Sequence, residues 1–325
     1  MTRCARATAR APDCTWRASS ASWRARSRVI STDVPATGHR RLGLLFLAIT
    51  AVGWGLNWPA LKLVLHDLPP LTARAVTALL ATGGLTLVAS LARVPLRLPA
   101  SERGAVALAG LLNVGGWMGL STLGLLWLPA GEGAVVAYTM PVWAALLAWP
   151  VLGERPTPAR LLALLLGLGG VALLMTGGPV SGGAEKLPGV LLVMAAAICF
   201  ALGAVTTKRR PLRLHPVATV IWQVGLGCLP VLAGAVLLER PAWKEVSTQA
   251  WAALAFMAIL PLSICYMTWF AALRRLPAST AAMGVLAAPL VSVLVGAAAL
   301  GEALGWRQAV ALALTMSGVV LALRG

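Results

Sequence analysis

LPAGEGAVVAYTMPVWAALLAWPVLGERPTPARLLALLLGLGGVALL, residues 128–174, lies without gaps over LPASTAAMGVLAAPLVSVLVGAAALGEALGWRQAVALALTMSGVVLA, residues 276–322, at an offset of 148. Leucine and alanine matches carry little weight in so apolar a chain. The alignment rests on Pro129/Pro277, Pro141/Pro289, Gly153/Gly301, Glu154/Glu302 and Gly170/Gly318. Both stretches are hydrophobic enough for a bilayer, which reads as a membrane protein built by duplication. That architecture favours transporters.

Working outward, 59% of the chain is hydrophobic and 11% charged, against roughly 25% charged in a soluble domain. Apolar runs long enough to span a ~30 Å hydrocarbon core recur at about 42–64, 71–92, 104–127, 132–152, 159–177, 188–207, 216–238, 249–272, 278–300 and 306–323. In lipid they must be helices, because their backbone polar groups need internal partners. The expectation is an all-α membrane protein of ten transmembrane helices, with connections too short for a soluble catalytic domain. Val190–Arg209 also lies on Leu44–Leu63 at an offset of 146, pairing Trp54 with Phe200 and Lys62 with Lys208. The repeat unit is thus five helices, about 42–177 and 188–323. An odd number of spans sends the second copy into the membrane from the opposite side, so the two five-helix repeats are inverted.

The formal charge of +17 is a topology signal. With the N-terminus inside, 21 of the 27 Lys and Arg fall on the cytoplasmic side, leaving Lys62, Arg74, Lys186, Arg240, Lys244 and Arg307 outside. This bias predicts both termini cytoplasmic and argues against nucleic acid as a partner. Residues 1–41 are Arg-, Ala- and Ser-rich and read as a disordered basic tail or a start-site extension, with a transit peptide as the third reading. Cys199, Cys228 and Cys265 fall in spans and Cys4 and Cys14 in the tail, forming neither a metal cluster nor a disulfide framework. No cofactor motif is present.

Two five-helix repeats, GWGLNWPALK (residues 53–62) in the first helix, and fourth-helix segments running from Pro141 and Pro289 to LGE at 152–154 and 300–302 resemble the EamA branch of the drug/metabolite transporter superfamily. The resemblance covers about 42–323. It implies a central cavity between the halves and export or exchange of small metabolites, often amino acids. Such proteins commonly carry an arginine about two turns into the second helix, whereas Arg74 lies nearer its start, with Thr77 one turn on.

Polar residues at bilayer depth are the candidates for transport chemistry. Glu132, at the outer end of the fourth span, could couple transport to protons or grip a substrate amine; the alternative is an interfacial acid at a helix N-terminus. Its repeat partner is Thr280. Trp54 and Asn57 share a helix face that could line the cavity, Trp58 less so, and Tyr138 precedes Pro141 in the fourth span. Pro141 and Pro289 remove an N–H at mid-membrane and read as kinks or hinges. Asn113, Gln223, Tyr266 and Thr268 read as groups satisfying neighbouring helices. Glu154 and Glu302 fall on opposite faces and read as structural acceptors for loop and helix-start N–H groups.

The expected function is an inner-membrane secondary transporter, not an enzyme, that exports or exchanges a small metabolite by alternating access. Its partners are that small-molecule substrate and the lipid bilayer, and a homodimer is compatible with the reading. Two alternatives stay open. Uptake or exchange of a sugar-linked or phosphorylated metabolite would want cationic groups in the cavity, for which Arg74 and Lys62 qualify. The other is a non-transporting assembly or sensory partner.

Overall fold

Proline, glycine and the demand for backbone hydrogen bonds set the helix boundaries. Pro70, Pro188 and Pro216 stand in the first turns of their helices, where a missing N–H leaves no bond unmade. The computed structural model describes residues 36–153, 157–175, 185–273, 275–276, 284–302 and 304–324. Among them every regular element is helical.

In chain order these are α1 (Ala36–Val64), α2 (Pro70–Leu91), α3 (Arg103–Gly110), α4 (Trp117–Gly124), α5 (Ala130–Ala137) and α6 (Met140–Leu152). There follow α7 (Pro158–Met175), α8 (Leu187–Arg209), α9 (Pro216–Leu238), α10 (Thr248–Ile259), α11 (Cys265–Leu273), α12 (Ala287–Leu300) and α13 (Trp306–Arg324). Among the described residues seven helical stretches are long and apolar enough to cross a membrane: Arg40–Val64, Pro70–Leu91, Ala100–Gly124, Ala130–Leu152, Leu187–Arg209, Pro216–Leu238 and Thr248–Trp269. Leu161–Leu174, Ala287–Leu300 and Trp306–Leu321 are shorter apolar helices. The protein is an all-helical, multi-pass membrane protein. Its first helix begins at Ala36, ahead of the expected start at 42; residues 1–35 of the expected tail lie outside the described residues.

The two halves share their irregularities. A π-helical turn at Leu111–Gly116 joins α3 to α4, and another at Leu260–Ile264 joins α10 to α11; the offset of 148 superimposes them. The fourth span breaks at Tyr138–Thr139 and its counterpart at Leu286, each just ahead of Pro141 or Pro289, whose ring crowds the carbonyl one turn back. Gly153 and Gly301 end α6 and α12 with φ of 78° and 65°, the left-handed cap that favours glycine. The glycine of each LGE is therefore a helix stop.

In lipid there is little hydrophobic force between helices, so close packing and polar bonds hold the bundle. A Cβ on Gly110 would stand 2.8 Å from the carbonyl of Gln223, and a Cβ on Gly227 would fall on the carbonyl of Gly110, so α3 and α9 cross backbone to backbone. Across α7 and α13, a Cβ on Gly318 would lie 2.7 Å from Ala163 O and one on Gly170 2.8 Å from Ala311 O.

Polar bonds at helix ends sort those ends into two groups. Glu302 accepts from the N–H groups of Ala130 and Gly131 (2.5 and 3.0 Å), and Glu239 from those of Leu71 and Thr72 (2.9 and 2.7 Å). Asp67 accepts from Ser247 N at 2.9 Å and from Ser247 Oγ. These ends, with that of α1 at Lys62, form one side. On the other, Arg210 donates to Ser101 O (3.3 Å) and Trp222 to Leu96 O (2.8 Å). Successive segments running in alternate directions produce this sorting.

Candidate functional site

A cavity of about 350 Å³ lies between the two halves, at the small end of the range for ligand pockets. From the first half its walls take Trp54, Asn57 and Trp58 of α1, Arg74 of α2, Asn113, Trp117, Met118 and Ser121 around the first π turn, and Tyr138 and Met140 at the break before α6. From the second half come Phe200, Ala204 and Thr207 of α8, Thr219, Val220 and Gln223 of α9, and Pro261, Leu262, Tyr266 and Trp269 around the second π turn. Both π turns thus reach the cavity. A π turn re-aims side chains that a regular helix would rotate away, and such turns concentrate at functional sites.

Aromatic rings build two walls. The Trp117 ring lies 5.2 Å from Phe200 and 6.3 Å from Trp58, the latter edge to face. Trp54 lies 5.7 Å from Tyr266 and 5.8 Å from Trp269. Its indole N–H donates to Pro261 O at 3.2 Å, which fixes the ring on the cavity wall.

Toward the Lys62 side the cavity ends at a dry layer. Leu61, Val64 and Leu125 are fully buried there, and Leu128, Leu68 and Trp58 nearly so. In the opposite direction the walls run to Thr207 and Thr219, within a turn of the ends of α8 and α9.

The polar lining residues are only partly bonded. Arg74, 4% exposed, donates from Nε to Thr122 Oγ1 at 2.5 Å, while its Nη1 has no hydrogen-bond partner among the described residues. Asn113 donates to Gln223 Oε1 at 3.3 Å, and the amide oxygens of Asn57 and Asn113 have no partner among the described residues. Among the described residues no lining residue is acidic. Arg74 therefore stands as a cation without an ion-pair partner among the described residues.

Trp54, Asn57 and Tyr138 come together on this cavity; Glu132 does not. Its carboxylate is buried in α5, paired at 2.9 Å with Lys186 and accepting from Gln308 Nε2 at 3.2 Å. Lys186, just ahead of α8, is the partner that reaches this acid. Lys62 also leaves the cavity, donating to the carbonyls of Leu125 (2.5 Å) and Leu128 (2.9 Å) at the end of α4. Glu302 caps α5, a helix of the other half, whereas Glu154 and Thr280 lie outside the described residues. Thr268 turns to Thr50 Oγ1 at 2.8 Å. Sequence reasoning missed Trp117, Phe200 and Trp269. Phe200 was the repeat partner of Trp54 and could have been found from that.

A multi-pass helical protein with a cavity walled by both of its repeats has the form of a membrane transporter. Residues 41–176 and 187–324 each match the EamA-like transporter family. The chain belongs to that family. It is 29% identical to an uncharacterized transporter, YvbV, of Bacillus subtilis (strain 168), over 85% of this chain and 90% of the relative. It is 26% identical to a probable amino-acid metabolite efflux pump of Salmonella typhimurium, over 87% and 94%. It is 27% identical to a probable terminal-alkyne amino-acid exporter of Streptantibioticus cattleyicolor, over 85% and 91%. A solved crystal structure matches with a TM-score of 0.60 and 26% identity, covering 88% of this chain and 96% of that one.

Proposed function

We propose that this protein is a secondary carrier of the cytoplasmic membrane that moves a small, amino-acid-like metabolite outward by alternating access. In this reading ten spans form two inverted five-helix repeats with both termini cytoplasmic, and the Lys62 side is the outer one. The observation that carries it is the cavity walled by corresponding helices of both repeats and sealed toward the Lys62 side by a dry layer. Exchange of the two halves' conformations would move the seal to the opposite side. The breaks ahead of Pro141 and Pro289 are the hinges. Two relatives, a probable amino-acid metabolite efflux pump and a probable terminal-alkyne amino-acid exporter, support the substrate class.

Glu132 belongs to the outer gate in this reading. Its ties to Lys186 and Gln308 hold α5 to the segments before α8 and in α13, so parting these ends exposes a carboxylate to external protons. Glu132→Gln is expected to weaken proton-coupled transport; unchanged activity and pH dependence would remove the acid from coupling.

The test is counterflow in liposomes holding only the purified protein. Saturable exchange of at least one small amino acid is expected. No flux for a broad metabolite panel would favour a non-transporting assembly role. Reporter fusions should place the C-terminus inside, and an external C-terminus would sink the ten-span topology.

A further inference from the structure

The charge balance of the cavity points to one feature of its ligand. A guanidinium buried at membrane depth without a carboxylate beside it is costly, and proteins place such groups where a ligand supplies the missing charge. Arg74 is 4% exposed, sits on the cavity wall and bonds Thr122 through Nε alone. Among the described residues its Nη1 has no partner and no cavity-lining residue is acidic.

The duplication argues against a scaffold role. Carried on to the second helix, the offset of 146 lays Pro70 on Pro216 and Arg74 on Val220. Val220 also lines the cavity, so the same wall position in the other half is apolar. One copy alone holds the cation, as a group serving an asymmetric ligand would require.

We propose that Arg74 is the anion anchor of this cavity: its guanidinium takes the carboxylate of the transported solute, whose apolar body lies between Trp54, Trp117 and Phe200. A guanidinium suits a carboxylate because its planar array of donors matches two acceptor oxygens. The unpartnered amide oxygen of Asn57, a wall residue, is an acceptor for an ammonium group, so the polar lining complements both ends of a zwitterion. The inference rests on reading the cavity as the substrate site.

Binding to the purified full-length protein in nanodiscs tests the anchor without needing transport. The probes are small apolar and aromatic L-amino acids, their carboxamides, and matched carboxylates lacking the amine. The acids should bind the wild type roughly ten- to a hundred-fold tighter than their amides, the size expected for a charge-assisted bond. Arg74→Gln should erase that preference by weakening the acids to the level of the amides, and Arg74→Lys should restore part of it. The acid-to-amide ratio in the wild type is unaffected if Arg74→Gln folds poorly. Amides binding as tightly as acids, or no carboxylate in the panel binding, would overturn the proposal. Tight acid-selective binding with no flux in liposomes would instead sink the transport reading and leave the anchor standing.

Discussion

The Lys62-side helix ends and the central cavity treat most polar groups in opposite ways. Arg307 Nε, at the start of α13, is an exception, buried without a hydrogen-bond partner among the described residues. At the helix ends Lys62 caps the end of α4, Glu302 the start of α5 and Glu239 the start of α2, while Glu132 is paired with Lys186. Around the cavity, Arg74, Asn57 and Asn113 each keep a polar atom without a partner among the described residues. Buried polar groups in finished scaffolding are bonded. Groups left unbonded around a cavity are therefore the better guide to a ligand, even though the acids at the helix ends look more functional in a sequence.

The largest expected effect sharpens the scaffold side of this contrast. Glu302→Ala removes the acceptor of two helix-start N–H groups and should lower stability by about 4 kcal/mol, at about 1–3 for each stranded donor. Thermal unfolding in detergent measures it, with the acid-to-amide preference of the survivors unchanged. Glu132→Ala removes the acceptor that Lys186 and Gln308 share and should cost about 2 kcal/mol, the size of a lost charge-assisted bond. Asn57→Leu should invert the pattern: stability changes by less than about 1 kcal/mol, since the lost amide oxygen had no partner, while exchange falls about tenfold. A stability loss as large as that of Glu302→Ala would break the contrast. The smallest effect is at Asp67, whose carboxyl is held below the ordinary carboxylate range by bonds from the hydroxyl and N–H of Ser247. Its contribution is complete above the unfolded carboxylate value and lost as pH falls through the lower folded one. Asp67→Asn should remove a slight acid-side dependence of the unfolding temperature.

The family was legible because duplication leaves its mark on residues that cannot be exchanged freely. Gly301 and Gly153 are matched in sequence and both adopt the left-handed backbone that ends a helix. Pro141 and Pro289 are matched and both follow a break. Trp54 and Asn57 could be placed on one face because three residues make nearly a turn, and the structure sets both on the cavity wall. The setting of Glu132 was hidden because sequence shows a carboxylate in a span but not Lys186, 54 residues away, that pairs with it. The π turns were also hidden: Gly115, Gly116 and Pro261 sit within them, but the same residues occur in regular helices, and one extra residue in a turn leaves no periodic trace. Asn113 donates to Gln223 across helices, while its own amide oxygen has no partner among the described residues. That they also face the cavity follows from the turn that re-aims them.

The most direct test is to fill the cavity without disturbing the packing around it. Ala204 lines the cavity and is exposed there, so Ala204→Trp has room to place its indole in the ligand's space. Counterflow of an amino acid that the wild type carries should then be abolished while the unfolding temperature stays near the wild-type value. Undiminished exchange through Ala204→Trp would contradict the assignment of this cavity as the transport site.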